Sequence, residues 1–441
     1  MTVPRDDGRP WARAHASVAV AAGGAALVLL GVAAGRADVA VVGVAPLVAV
    51  LWDWSRRPRG EVGISLVQPV QQPEPGEMVV HAGINAPDDA PAALLAVRRG
   101  RTPAVVTLVR LEHGRRVVRV RVRTVRTGPQ ELATAEALAL GAGGASLAEA
   151  ADPVEVRTVV LPGTPRLGEV PLPPRLRGLS GAHESRRAGE GGGLRDVHPY
   201  SSGDRMRRID WRTTARRSPQ LRELYVRREH ALAEAAVVLV VDSRDDVGPD
   251  PLTWRGSNLP DPLEATSLDL ARTAAAALAQ AYLGQGDRVG LDDLGVLRRP
   301  LPPGAGRRQL DRVRHALAVT QPGIDQRARA RAPQVPSGAL VVLFSTFLDD
   351  EPVEVAAHWQ RIGHRIVAVD VLPDLRTRHL DGRERLALRL VSLAREDRLA
   401  ALADLGIDLV SWRDSPVTAL TLARRRGAPG RGRTVASAAH R

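Results

Sequence analysis

The chain has no cysteine, no lysine and few aromatic residues. Without cysteine there is no disulfide framework, no thiolate zinc site and no cysteine nucleophile. Without lysine, all 62 basic residues are arginine, and with aromatics at 3% the bases of a nucleic acid have no stacking platform. Uniform arginine usage beside abundant Ala, Gly and Pro has the look of a genome-wide codon bias, which weakens any argument from a single arginine. The net charge of +13 is spread over every segment and mixed with Asp and Glu. No recognition helix or basic zipper accompanies it, so nucleic acid is not an expected partner. At 441 residues the chain should hold two or three domains.

Long apolar runs are present at the start. "AHASVAVAAGGAALVLLGVAAG" (14–35) is long enough to span a bilayer, "RAD" interrupts it, and "VAVVGVAPLVAVLW" (39–52) is apolar again. Trp11, Trp52 and Trp54 stand where interfacial aromatics belong. A signal peptide is the rival reading, but the second run and its basic flank argue against cleavage. Arg5, Arg9 and Arg13 precede the pair, Arg56, Arg57 and Arg59 follow it, and only Arg36 lies between. The positive-inside rule then predicts a transmembrane helical hairpin at 14–54, with residues 1–13 and the body of the chain in the cytoplasm. The expected location is the cell membrane, multi-pass, with the bilayer as a partner.

Residues 61–165 change to short valine-rich runs: "EVGISLV", "EMVVHAGI", "ALLAVRR", "AVVTLVRL", "RRVVRVRVRTV" and "VEVRTVVLP". In the clearest, Val118, Val120, Val122 and Thr124 alternate with mostly arginines. A small β-sandwich is expected. Residues 166–193 are rich in Pro and Gly and read as a linker, and "GEGGGL" lacks the context of a phosphate loop. From 231 to 423 strand-like and helix-like segments alternate: "AAVVLVVD" (235–242), "SLDLARTAAAALAQAYLGQGD" (267–287), "RVGLDDL" (288–294) with "VLRR" (296–299), "GRRQLDRVRHALAV" (306–319), "GALVVLFSTF" (338–347), "EPVEVAAHWQRIG" (351–363), "HRIVAVDVL" (364–372), a helix over 383–406 and "IDLVSW" (407–412). That order predicts an open α/β sheet with helices on both faces. The tail, 424–441, reads as basic and disordered.

Ligands of open α/β sheets collect at the carboxyl ends of the strands, here "VVDSRDD" (240–246) and "LFSTFLDD" (343–350). These are the positions at which a von Willebrand factor A domain builds its metal-ion-dependent adhesion site, from Asp-x-Ser-x-Ser, a Thr and a later Asp. Asp242 keeps the first position. Arg244 and Asp246 replace the two serines, "PGAGRRQL" (303–310) offers no threonine, and Thr346 follows Ser345 where Asp is expected. Asp245, Asp246, Asp349 and Asp350 could attract a cation. Arg244 would bring positive charge into the shell or pair with Asp242 and fill the pocket without metal. The favoured expectation is a degenerate site with no metal and no cofactor.

The stretch "HPYSSGDRMRRIDWRTTAR" (198–216) carries the sharpest pattern. Tyr200, Gly203, Asp204, Arg207 or Arg208, Ile209, Asp210, Trp211, Thr214, Ala215 and Arg216 follow the order of the signature of the domain of unknown function 58 family, with His198 where that family often has Arg. The chain resembles that family in its architecture as well: membrane hairpin, β-rich segment, signature at 194–230, then a von Willebrand factor A-like open sheet. The resemblance implies a membrane-tethered partner of a MoxR-type AAA+ ATPase, at times beside a transglutaminase-like membrane protein, working in assembly or remodelling of protein complexes; no catalytic activity is established for that family, and no catalytic residues are expected here.

The signature residues themselves allow several readings. Asp204 is a candidate N-cap beside a permissive Gly203, and Trp211 and Ile209 are candidate core anchors. Arg205, Arg207, Arg208, Arg212, Arg216 and Arg217 could hold phosphate or pair with acidic loops. Asp204 and Asp210 could in principle serve a hydrolase as acid and base, but among arginines both should stay ionised and leave no proton donor. The expectation is a polar network fixing the signature against the sheet, with the exposed part a docking surface on a non-enzymatic adaptor. The alternatives are a magnesium-dependent adhesion adaptor and a carboxylate/arginine hydrolase.

Overall fold

Two apolar helices, α1 (His15–Ala33) and α2 (Ala37–Ser55), open the computed structural model, which describes residues 11–69, 76–100, 102–176, 181–254, 260–296, 299–322 and 332–427. Each has 19 residues and is long and apolar enough to cross a membrane; at 1.5 Å per residue that is about 28 Å. Glycines let their backbones meet. A Cβ built on Gly31 would lie 2.4 Å from the Ala40 nitrogen, and one on Gly43 2.5 Å from the Gly24 carbonyl oxygen. Such small-residue contacts are how apolar helices pair where lipid tails remove the hydrophobic drive. Gly43→Leu should therefore force the helices apart and cost about 1–3 kcal/mol, read as a lower midpoint of detergent denaturation by circular dichroism.

The chain divides into two compact units, Met1–Thr124 with Pro129–Val159, and Val125–Gly128 with Val160–Arg441. In the first, the base of the helix pair is tied to a β-turn. The buried Asp53 carboxylate accepts from the amides of Gly143 (2.5 Å) and Ala145 (2.9 Å). Arg13 and Arg57 lie over the Trp54 ring at 4.9 and 4.5 Å, and Arg56 over Trp52 at 4.0 Å. Cations on aromatic rings suit an interfacial belt.

Nine strands accompany the helix pair, β1 (Trp11–Arg13) before α1 and, after α2, β2 (Gly63–Val67), β3 (Glu77–Asn85), β4 (Ala92–Arg98), β5 (Val105–Arg110), β6 (Arg115–Arg123), β7 (Gly128–Leu140), β8 (Ser146–Ala148) and β9 (Val154–Val160). They form one sheet in the order β1-β8-β7-β4-β5, with β9 also on β7, and another in the order β2-β3-β6. Ala82 and Ile84 of the second sheet share a core with Leu95, Ala135 and Ala137 of the first. On β6 the arginines are exposed and Val118, Val120 and Val122 half-buried, as the alternation predicts. The longest strand of this unit, β7, has no counterpart in the sequence reading.

The second unit begins with a Pro-rich strap rather than a free linker. Proline lacks an amide hydrogen, so the segment docks through its carbonyls and through apolar side chains, with Val170 buried in the core. The Pro171 carbonyl accepts from the buried Tyr282 hydroxyl (2.7 Å), Leu172 from Arg365 (2.8 Å), Val170 from Arg424 (3.2 Å) and Pro162 from Arg314 (3.0 Å). Burial drives the Tyr282 hydroxyl above its ordinary range. Residues 177–180 of the expected linker lie outside the described residues. Its end forms β10 (His183–Pro199), paired antiparallel with β11 (Tyr225–Ala233) through several register shifts around the glycines.

The remaining elements are β12 (Ala236–Val241), α4 (Ser267–Gly284), β13 (Arg288–Asp293), β14 (Leu301–Gly304), α5 (Arg307–Val319), β15 (Leu340–Ser345), α6 (Glu351–Arg361), β16 (Arg365–Asp370), α7 (Gly382–Asp404), β17 (Asp408–Ser411) and α8 (Pro416–Gly427). Their sheet runs β14-β13-β12-β15-β16-β17, parallel except for the β13–β14 pair. The edge strand β14 lies at 301–304, not at the "VLRR" of 296–299, whose residues 297–298 are outside the described set. Helices α4, α5 and α8 cover one face through Leu278, Leu317 and Leu420, and α6 and α7 the other through Trp359 and Leu402. Helix α8 carries Arg424–Arg426 in its last turn, where they favour the helix dipole, so the basic tail begins later than residue 424. Residues 428–441 lie outside the described residues.

Candidate functional site

The signature folds into a self-contained cap on the β10–β11 hairpin. Tyr200 donates its amide to the Leu224 carbonyl (2.6 Å), Ile209 bridges Val226, and Asp210 donates its amide to the Tyr225 carbonyl (2.8 Å). Gly203 adopts φ +107°, in the region that favours glycine. Asp204 does not cap a helix. Its carboxylate closes the turn by accepting from the Ser201 amide (2.9 Å) and hydroxyl (2.8 Å), with Arg228 at 3.5 Å. The N-cap is Asp210, which accepts from the Thr213 amide (3.0 Å) at the start of the short helix α3 (Trp211–Arg217).

Thr214 is the buried pivot: at 0% exposure, its hydroxyl oxygen accepts from the Tyr225 amide (2.9 Å). Arg208 donates to the Gly189 carbonyl (3.3 Å), and Arg216 is exposed in the last turn of α3. Trp211 departs furthest from expectation. Instead of anchoring a core it is 62% exposed, and Met206 and Tyr200 are exposed too. The seven-residue helix spends its one buried position on Thr214, and Trp211 stands at its first residue, facing solvent. The polar network thus fastens the signature to its own hairpin, and the aromatic residues remain outside.

Hydrogen bonds from the Ser201 and Thr213 amides hold Asp204 and Asp210 below the usual carboxylate range. Both groups are ionised at neutral pH and committed to backbone amides, so neither is a proton donor. A depressed folded-state value means the stabilisation is present above the ordinary 3.8 and is lost as pH falls through the folded value. Amide exchange at Ser201 and Thr213 should accelerate below about pH 4 relative to β12 amides, after correction for intrinsic rates. Thr214→Val, which keeps the shape and removes the acceptor, should cost about 1–3 kcal/mol, measured as exchange at Tyr225.

The second cluster lies at the carboxyl ends of β12 and β15, where the strand order reverses. Asp242 follows β12, and its buried carboxylate accepts from the Ser345 hydroxyl (2.7 Å). Arg244 fills the space in front of it. Its Nε and Nη2 donate to the two Asp242 oxygens at 2.8 and 2.9 Å, Nη2 also to Asp349 (3.1 Å), and Nη1 to Glu351 (2.6 Å). Burial disfavours the charged guanidinium, but the three carboxylates outweigh it and raise its pKa above the ordinary arginine value.

Asp245 turns to the Thr346 hydroxyl (2.9 Å), and burial pushes its carboxyl up. Asp246 pairs with Arg126 (3.3 Å), and Asp350 with Arg398 (2.5 Å). Residues 303–310 close β14 onto α5, where Gln309 donates to the carbonyls of Val289 and Pro302. Among the described residues no group of three His, Asp or Glu is placed to hold a metal ion. The carboxylates that a hard cation would need already hold a planar cation that the chain supplies itself, so the donor set does not fit magnesium.

Residues 196–388 match the family described as Protein of unknown function DUF58. The chain carries a DUF58 domain. No curated protein matches the chain. The DUF58 match starts within β10, so it takes in the signature cap and the sheet as far as α7. Within the DUF58 domain a third polar centre escaped the sequence reading. Asp269, at the start of α4, accepts from the Thr266 amide and hydroxyl, the Thr127 amide (2.6 Å) and hydroxyl (2.7 Å), and pairs with Arg126 (2.6 Å) and Arg272 (3.5 Å). The signal was available as "TSLD" (266–269), a capping-box pattern.

Proposed function

We propose that the chain is a membrane-anchored, non-enzymatic adaptor whose DUF58 domain is a von Willebrand factor A-like module working without metal. One observation carries this reading: Arg244 sits at the switch point of the sheet with its guanidinium seated on Asp242, Asp349 and Glu351. The strand order 3-2-1-4-5-6, with an antiparallel third strand, supports the module assignment. A switch point filled by an internal ion pair favours contact by shape and charge over coordination of a partner's carboxylate through a metal.

The exposed Trp211, Met206 and Tyr200, set among arginines, are the docking surface in this proposal, since aromatic residues and arginine dominate the energetics of protein interfaces. The partner is a MoxR-type AAA+ ATPase, with a transglutaminase-like membrane protein as a further candidate. In this proposal the two apolar helices hold the chain in the cell membrane, and the excess of flanking arginines favours the cytoplasmic side for the soluble domains that follow them. The hydrolase alternative loses support because Asp204 and Asp210 each serve a separate turn.

The test is affinity purification from native membranes in mild detergent, with Trp211→Ala in parallel. Because Trp211 is exposed, that variant should stay folded. A stoichiometric AAA+ ATPase that is lost from the variant supports the proposal. An ATPase retained by the variant places docking elsewhere, and no ATPase in either sample overturns the partnership.

A further inference from the structure

Helix α7 is 23 residues long, yet Leu402 is its only fully buried residue. Its carboxyl half is fastened to the sheet. Arg395 donates to the Thr346 carbonyl (2.7 Å) and pairs with Asp370 (2.5 Å), and Arg398 donates to the Leu348 carbonyl (2.9 Å). The amino half has its own start signal, a capping box of Asp381 and Glu384. On the face turned away from Leu402 stand Leu386, Leu390 and Leu393, at 63%, 61% and 40% exposure. Their spacing of four and three residues is the seam of a helix that packs on another helix.

The charges along that seam have a direction. Arg383 continues it toward the amino end and Asp397 toward the carboxyl end, with Leu390 midway between them. Both are exposed, and neither makes an ion pair among the described residues. A parallel copy would set arginine on arginine and aspartate on aspartate. An antiparallel copy with its two-fold axis at Leu390 sets Arg383 against Asp397 twice. The same register lays Leu386 against Ala394 and Leu393 against Ala387, large against small. An acidic residue on the seam disfavours insertion into an anionic membrane surface.

We infer that this face of α7 is an isologous self-association surface, on which a second copy of the chain docks antiparallel about Leu390. Three leucines cover far less than the roughly 1,200–2,000 Å² of a standard stable interface. The contact is therefore weak in dilute solution and works where copies are concentrated by a common surface. The inference rests on the proposed membrane anchoring only for that concentration, and it does not depend on any ATPase.

The absence of cysteine makes the test clean, because any introduced thiol is the only one. In native membranes, full-length Leu390→Cys should form a disulfide dimer under mild oxidation. Co-expressed Arg383→Cys and Asp397→Cys chains should cross-link to each other, and Arg383→Cys alone should not. Adding Arg383→Asp to Leu390→Cys should lower the dimer yield about three- to tenfold, as two ion pairs become two repulsions. Adding Asp397→Arg as well should restore it. All these positions are exposed, and circular dichroism checks that the fold is kept. No dimer through residue 390, self-cross-linking through residue 383 as readily as the mixed pair, or capture of a different protein at 390 would each overturn the inference.

Discussion

Replacing Arg244 by serine should destabilise the α/β unit by about 3–5 kcal/mol, the loss expected when one partner of a buried ion pair is removed. The reason is asymmetric. The Asp242 side chain is 2% exposed, and without the guanidinium its charge is left with the Ser345 hydroxyl and a long contact from the residue 244 amide (3.4 Å). Asp349 and Glu351 lose the same cation and face Asp242 across the space it vacated. The effect is read as faster amide exchange in β12 and β15, with little change in strands β3 and β4 of the other unit. Arg244→Lys should recover only part of the loss, because an ammonium lacks the planar fork that reaches three carboxylates. Millimolar magnesium should protect the serine variant and leave the parent chain unchanged, since only in the variant are Asp242, Asp349 and Glu351 released from the guanidinium.

Asp269→Ala is expected to be comparably severe, about 3–5 kcal/mol. Asp269 is the common partner of two arginines, two threonine hydroxyls and two backbone amides, with a side chain 2% exposed. Arg272 is itself buried, and burial lowers its pKa against the pull of Asp269. Without the carboxylate it keeps the Thr127 and Thr320 carbonyls as acceptors but loses its contacting counter-charge, leaving Asp246 and Asp293 to offset the repulsion of Arg126. Asp269→Asn leaves one oxygen to accept from either the Thr127 or the Thr266 donors, sets its NH2 against the other pair and removes the charge. It should fall between the alanine variant and the parent in a thermal melt of the detergent-solubilised chain. If alanine at 269 were tolerated within about 1 kcal/mol, the network would be decorative rather than structural.

How much of this was legible beforehand depends on the physics of each element. Strands β12, β15 and β16 are buried on both faces, so they read as unbroken apolar runs and are found at once. The arginine-valine alternation of β6 was equally plain. Strand β7 was not, because "ELATAEALAL" is built from strong helix formers whose strand conformation is imposed by pairing with β4. The β10 segment hid behind its glycines, which usually mark flexible chain and here accommodate bulges opposite β11. The strap at 161–176 reads as linker because proline abolishes periodicity, while its anchoring depends on side chains such as Tyr282 and Arg365, far away in sequence.

At the site, the Asp242–Arg244 pairing was foreseeable from two residues at close spacing. The additional reach of Arg244 to Asp349 and Glu351 was not, since it depends on β12 and β15 lying side by side. The exposure of Trp211 ran against the general rule that large apolar side chains go inside. A short helix capped by Asp210 at its first turn has room for one buried residue, and Thr214 takes it. In the proposal above that exposed tryptophan belongs to the docking surface.

That Arg244 is the cation of the switch point is tested most directly by magnesium titration of the full-length chain by calorimetry, parent against Arg244→Ser. The parent should give no saturable heat up to millimolar magnesium, and the serine variant should bind in a way that disappears in Asp242→Ala/Arg244→Ser. Saturable binding by the parent that is abolished by Asp242→Ala alone would contradict it, and would make the site a metal-dependent one.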